Sequence, residues 1–411
     1  MMRKVKNQLR KGLELRKRNL SSLFPIYQGP KITGIAVYSV SLPLHEGSYK
    51  WSGGNEIVAF DSTVVRIVTD KGIEGFGENT PLGSAYLPAY AEGTRTGIRQ
   101  IAPSLLGMDP TRIHDIYLTM DKCLKGHPYV KSALDMACWD ITGKVAGLPV
   151  CELLGGRFGT QIPLYRAISQ DSPENMAQRV QIYVDEGYRK FQLKVGGSPQ
   201  VDIERIRAVR RILDDKTREL TRRGEENLTM PLFCDANTGW KMHEALRVVN
   251  AVKDLDVYIE QPCLSYDECL SVRRLCPLPM ILDECVDSLS VLSDIAQDKA
   301  ADAINLKISK VGGITKAKTM RDFAVSAGIP MNIEDTWGGD IVTAAIAHLA
   351  HSTPPEFLLC STDFNSYGPV SIAKTSAVRK NGFLAAPVLP GLGVDPFYEV
   401  LNEPLFVIGK I

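Results

Sequence analysis

Three shortages bound what this 411-residue sequence can be. No apolar run approaches the ~18 residues needed to cross a bilayer, so a soluble, cytoplasmic chain is expected. No charge of one sign dominates: 48 basic against 47 acidic side chains leave a net charge of +1. No overall field therefore favours nucleic acid or an anionic membrane, and the expected partner is a small molecule. Paired cysteines are missing too. The nine cysteines are odd in number, include no CxxC and mostly sit inside apolar runs. Zinc and disulfide frameworks need tighter or paired spacing, so these read as buried free thiols in a reducing compartment.

What is present begins with a basic arm. Residues 1–30 set Arg3, Lys4, Lys6, Arg10, Lys11, Arg16, Lys17 and Arg18 against the single acid Glu14. The arm reads as a transit peptide or a frayed start and is kept out of the fold. From Lys31, ITGIAVYSVSLPL, STVVRIVTD and KGIEGFGE alternate branched residues between glycine turns, the pattern of a small antiparallel meander. Helical patterns follow. In YVKSALDMACWDITGKVAG, Val130, Ala133, Leu134, Ala137, Cys138 and Ile141 recur at one-face helical spacing. Residues 31–157 are expected to form an α+β domain.

Beyond CELLGG the texture changes. PLYRA, KFQLKV, MPLFCDA, VYIEQP, MILDE, AINLKI, PMNIED and EFLLC are short, nearly continuous apolar runs, with helical patterns between several of them. Such alternation marks a parallel sheet covered on its outer face, and eight in succession close a barrel over 158–370. Asp235, Glu260, Asp283 and Lys307 follow one another at 25, 23 and 24 residues by subtraction, about one strand, one helix and two loops. The polar insert 214–229 reads as a solvated loop or helix extension. The Gly/Pro-punctuated tail, 371–411, is unlike a ninth repeat and is expected to return to the first domain.

Charged residues at the C-terminal ends of barrel strands read as catalytic rather than stabilising. Asp235, Glu260 and Asp283 each close a separate apolar run; taken singly, each could merely cap the helix that follows. Three carboxylates brought together repel unless a cation sits among them. A hard divalent ion with oxygen ligands and open positions for substrate points to Mg²⁺. Strand alternation turns Lys190, Gln192 and Lys194 to one face, with Phe191 and Leu193 opposite; Asn305 and Lys307 likewise share a face. Inward lysines need a task or a counterion, and the carboxylates offer both.

The order Lys, Asp, Glu, Asp, Lys on successive strands, with SALDMACWDITGKVAGLPVCELLGG and INLKISKVGGI, resembles the enolase superfamily, in its muconate-lactonizing and mandelate-racemase-like branch. The resemblance covers residues 31–411. It implies a (β/α)₇β barrel under an α+β capping domain built from the N-terminal region and the C-terminal tail. It also implies Mg²⁺ held by Asp235, Glu260 and Asp283, Lys194 and Lys307 flanking the substrate, and a homo-oligomer. The shared step is loss of a proton α to a carboxylate, with a lysine base and Mg²⁺ stabilising the dianion. Gln192 departs from the KxK pattern of that branch, which leaves the means of lowering the Lys194 pKa open. Lys190, further back on the strand, reads as structural. No histidine ends a predicted barrel strand, so the His-based members match poorly. Glu334 would hydrogen-bond the substrate carboxylate if protonated, or orient Lys307 if ionised.

The loops HEGSYKWSGGN, NTPLGSAYLPAY, GHPYVKS and TWGGDI resemble those of cis-3-hydroxy-L-proline dehydratases and of the proline-betaine and 4-hydroxyproline-betaine 2-epimerases. That resemblance implies a cyclic, proline-type amino acid as substrate, dehydrated to Δ1-pyrroline-2-carboxylate or epimerised at its α-carbon. Tyr49, Trp51, Tyr86, Tyr90 and Trp337 are candidates to face a cationic ring nitrogen. An aromatic box would favour a quaternary betaine. A carboxylate partner such as Asp340 or Asp363 would favour a secondary amine. A non-catalytic barrel would be marked by loss of a metal acid or a lysine, and none is lost.

Overall fold

The computed structural model describes residues 27–226 and 228–411. Most of the basic arm, residues 1–26, lies outside them. An antiparallel sheet forms first, with Ile32–Pro43 between Ala59–Thr69 and the tail strand Phe406–Gly409, and Glu74–Asn79 at its edge. The tail thus completes the capping sheet. A two-strand hairpin, Tyr49–Trp51 with Asn55–Ile57, projects from it.

Helix Pro128–Ala146 lies between this sheet and the barrel, which explains why its polar face is buried as well as its apolar stripe. Val130, Ala133, Leu134, Ala137, Cys138 and Ile141 are fully buried, as the spacing predicts. Glycine lets the sheet approach: a Cβ at Gly77 would stand 1.8 Å from the Ala133 carbonyl oxygen. On the far side, Asp135 accepts from the Thr315 amide at 3.0 Å, and the Trp139 indole donates to Thr315 Oγ1 at 2.9 Å. Helix Ile113–Cys123, which no sequence expectation covered, packs beside it.

Eight parallel strands follow in simple order: Tyr165–Ile168, Lys190–Lys194, Leu232–Asp235, Tyr258–Glu260, Met280–Leu282, Ala303–Lys307, Met331–Glu334 and Leu358–Ser361. A parallel bridge from Leu164 to Ser361 closes the ring. All eight expected runs are strands. Helices cover the outside; Ser172 and Ser265 accept from the amides of Asn175 and Glu268 and so cap two of them. The polar insert extends helix Pro199–Arg222 and then turns. All nine cysteines are free, and seven are buried.

Helix Asp340–His351 carries a buried imidazole that ties three segments together. His348 Nδ1 accepts from the Cys151 amide at 3.2 Å, and its Nε2 meets the Leu392 carbonyl at 3.1 Å. These partners select the neutral tautomer with the proton on Nε2. Burial pushes the His348 pKa down from 6.5 to about 3. A base depressed in the folded state leaves stability whole above its unfolded pKa and erodes it as pH falls. Equilibrium urea unfolding is therefore expected to lose up to about 1.4 kcal/mol per pH unit from roughly pH 6.5 towards pH 3, a slope that His348→Gln flattens.

Candidate active site

Strand order places the charges. The second and sixth strands of an eight-stranded ring stand opposite each other, so Lys194 and Lys307 face across the barrel mouth. The third, fourth and fifth strands fill the arc between them with Asp235, Glu260 and, one residue past its strand, Asp283. Ligand oxygens of these three buried acids lie within 4.8 Å of one another.

Each outer acid is paired with a lysine. Lys194 and Asp235 are register neighbours, and the Lys194 ammonium hydrogen-bonds Asp235 Oδ2. Lys307 Nζ stands 2.6 Å from Asp283 Oδ2, while Lys310 Nζ holds Asp283 Oδ1 at 2.9 Å. Against the effect of burial, Lys307 and Lys310 keep the Asp283 carboxyl well below the usual range. Burial lowers both catalytic candidates, but Asp235, Tyr49 and Glu260 outweigh it at Lys194, and Asp283, Glu334 and Glu284 at Lys307. Both ammonium groups sit above their ordinary values.

The central acid differs. Glu260 Oε1 accepts from Gln192 Nε2 at 2.7 Å and from Asn305 Nδ2 at 2.6 Å, while Oε2 is buried without a hydrogen-bond partner. Gln192, the departure from KxK, therefore serves Glu260. Burial, then the Asp235 charge, push Glu260 well above the usual carboxylate range. An unpartnered carboxylate oxygen between two further acids is a donor set that fits a hard cation.

Tyr49, Trp51, Tyr86, Gln192, Lys194, Lys307, Glu334 and Trp337 line one small, tightly closed cavity. The cap contributes a tyrosine to each lysine. Tyr49 lies against Lys194, its pKa raised to about 12 chiefly by burial. The Tyr86 hydroxyl accepts from Lys307 and donates to Asp283 Oδ2 at 3.1 Å. Asp340 does not belong here, which corrects the sequence expectation. It opens a helix, and its carboxylate is taken by the Ile372 amide at 2.7 Å, Asn365 at 2.8 Å, Ser371 at 2.9 Å and the Ala373 amide at 3.2 Å. Asp363 is likewise engaged, by Arg379 at 3.0 Å and Tyr188 at 3.2 Å.

Four residues escaped the sequence reading. Tyr165, inward on the first strand of the barrel, donates to Glu334 Oε2. Phe364 lines the cavity beside Trp337. Asn237 donates from its amide to Asp235 Oδ1 at 2.8 Å and from Nδ2 to Glu284 at 2.9 Å. Lys310 stands three residues after Lys307, a spacing that marks it only once the chain is known to turn into helix there.

A capped parallel barrel with opposed lysines and a carboxylate arc defines a class of enzyme, one built to act on the carbon beside a carboxylate. Known proteins agree. The enolase C-terminal domain-like family matches residues 175–400, and the mandelate racemase/muconate lactonizing enzyme N-terminal domain matches residues 58–155. The chain belongs to the enolase superfamily, in the mandelate racemase/muconate lactonizing enzyme group. It is 56% identical to a cis-3-hydroxy-L-proline dehydratase of Roseibium aggregatum, over 91% of this chain and 99% of that one. It is 30% identical to an N-succinyl-L-Arg/Lys racemase of Bacillus cereus, over 91% and 97% of the two chains. A mandelate racemase/muconate lactonizing enzyme structure from Roseovarius nubinhibens, complexed with magnesium, superposes with a TM-score of 0.86 at 38% identity, covering 92% of this chain and all of that one.

Proposed function

We propose that the protein dehydrates cis-3-hydroxy-L-proline to Δ1-pyrroline-2-carboxylate, using Mg²⁺ held by Asp235, Glu260 and Asp283. The facing lysines carry this reading, together with the 56% identity to a dehydratase over nearly the whole chain. One lysine takes the α-proton as the free amine, which requires that its carboxylate partner, Asp235 or Asp283, be engaged by Mg²⁺ rather than by the ammonium. The electron pair of that C–H bond is first held on the substrate carboxylate as an enediolate; it then forms the C2–C3 double bond as the C3–O bond breaks, and the opposite lysine, as ammonium, protonates the departing hydroxyl to water. The enamine then gains a proton at C3 and loses its N–H proton to become the cyclic imine, so the net change is loss of one water. When bound, Mg²⁺ would supply positive charge against the substrate carboxylate as the α-proton leaves. The cap aromatics exclude solvent, which strengthens every charge interaction inside.

The runner-up, 2-epimerisation of a proline betaine, needs an open aromatic face for the quaternary nitrogen. Trp337 is stacked on Phe60 at 4.0 Å and on Phe364 at 4.8 Å between centroids. The Tyr86 ring already has Lys307 Nζ 4.9 Å from its centroid. Trp337 and Tyr86 thus have ring faces occupied, and Tyr90 is exposed outside the cavity, which favours a substrate bound through N–H groups.

In D₂O with Mg²⁺, cis-3-hydroxy-L-proline is expected to lose its C3–OH and α-proton together by NMR. Deuterium entering the α-position with the hydroxyl retained would overturn dehydration in favour of epimerisation. Since Gln192 orients Glu260, Gln192→Leu is expected to weaken Mg²⁺ binding by about 10- to 100-fold in calorimetry; unchanged affinity would remove it from the metal's support.

A further inference from the structure

We infer that Glu334 is the anionic partner of the substrate's ring ammonium, and that it selects a secondary amine over an uncharged or fully alkylated ring atom. The inference rests on the proposed reaction, in which a lysine works at the α-carbon. Outside the metal-binding trio, two acids line the cavity among the described residues, Glu334 and Asp335. Asp335 is already engaged, accepting from the Ser309 amide at 3.1 Å, the Thr336 amide at 2.7 Å and the Ser309 hydroxyl. Asp340 and Asp363 are committed to other segments.

Glu334 is arranged differently. Its Oε2 is pinned by the Tyr165 hydroxyl, while Oε1 is buried with no hydrogen-bond partner and lies 3.6 Å from Lys307 Nζ. Lys307 and Glu334 are register neighbours on adjacent strands. In a proline-type substrate the α-carbon and ring nitrogen are bonded neighbours, roughly 1.5 Å apart. A group serving the α-carbon and an acceptor serving the nitrogen must therefore stand side by side, as Lys307 Nζ and Glu334 Oε1 do. A ring NH₂⁺ would give Oε1 its missing donor as a charge-assisted hydrogen bond. A betaine nitrogen carries no N–H, and a ring oxygen carries neither proton nor charge.

The test is calorimetric binding of L-proline and of (S)-tetrahydrofuran-2-carboxylate, which puts oxygen where proline has nitrogen, to the full chain with Mg²⁺. Wild type is expected to prefer L-proline by at least about tenfold. Glu334→Gln should bring the two affinities to within about twofold, whereas Glu334→Asp, which keeps the charge, should retain the preference. A ratio near one in wild type, a ratio preserved in Glu334→Gln, or a preference lost equally in both variants would overturn the assignment, as would failure of both ligands to bind wild type. Expected binding ratios without turnover of cis-3-hydroxy-L-proline would sink the reaction alone and leave the ammonium site standing.

Discussion

Lys194→Met and Lys307→Met are each expected to cut turnover by about 10²- to 10⁴-fold, the usual contribution of a positioned acid or base, and to fail in different ways. The two amines face each other from the second and sixth strands, so only one can reach the α-proton of an L-configured substrate. Removing that base stops both dehydration and entry of deuterium at the α-carbon. Removing the opposite lysine stops departure of the hydroxyl while proton abstraction continues, so the α-position still exchanges with D₂O. One variant should therefore show exchange without elimination and the other neither. Full activity in both would show that the lysines are structural partners of Asp235 and Asp283. Methionine keeps the length of the buried stem, which separates loss of the amine from loss of packing.

Glu260→Gln should move activity and metal-free stability in opposite directions. In the absence of a cation, Glu260 Oε2 has no hydrogen-bond donor and faces two further acids. An unsatisfied buried polar group costs about 1–3 kcal/mol, more when charged. The amide removes the charge and turns an unpartnered acceptor into a donor facing carboxylates, while its oxygen still serves Gln192 and Asn305. The metal-free variant should melt at or above the wild-type midpoint. Because Glu260 is pushed above the usual carboxylate range, the wild-type cost is relieved by protonation at low pH, so the variant's advantage should grow as pH rises. Mg²⁺ at 100 times its dissociation constant should stabilise wild type by about 2.7 kcal/mol and the variant by far less. Turnover should fall by about two orders of magnitude or more. A metal-free variant that melts well below wild type would mean that Glu260 holds the barrel together rather than waiting for an ion.

The legible part of this protein follows from local rules. A strand shows its faces with a period of two, so Lys194, Gln192, Asn305 and Lys307 could be assigned inward from sequence alone. A βα repeat spaces its strand ends evenly, so the acids announced themselves as a set. The illegible part lies in contacts between residues far apart in the chain. Asp340 has the same local look as an active-site acid, yet residues 365–373 return and saturate it. Phe60 comes from a capping strand, and Phe364 from beyond the last barrel strand, to stack on Trp337. Gln192 reads as a lost lysine until Glu260 is seen at 2.7 Å from it.

The amino-acid sequence by itself determined the barrel, its cap and the five charged strand ends, because backbone periodicity and repeat length are local properties of the chain. The tertiary structure decided which oxygens and ring faces remain free, since that depends on what packs against each side chain from elsewhere. Glu260 Oε2 and Glu334 Oε1 are left without donors, while the Trp337 ring is stacked on by Phe60 and Phe364. Those vacant acceptors, more than the residue types around them, favour a metal-assisted site for a protonated ring amine.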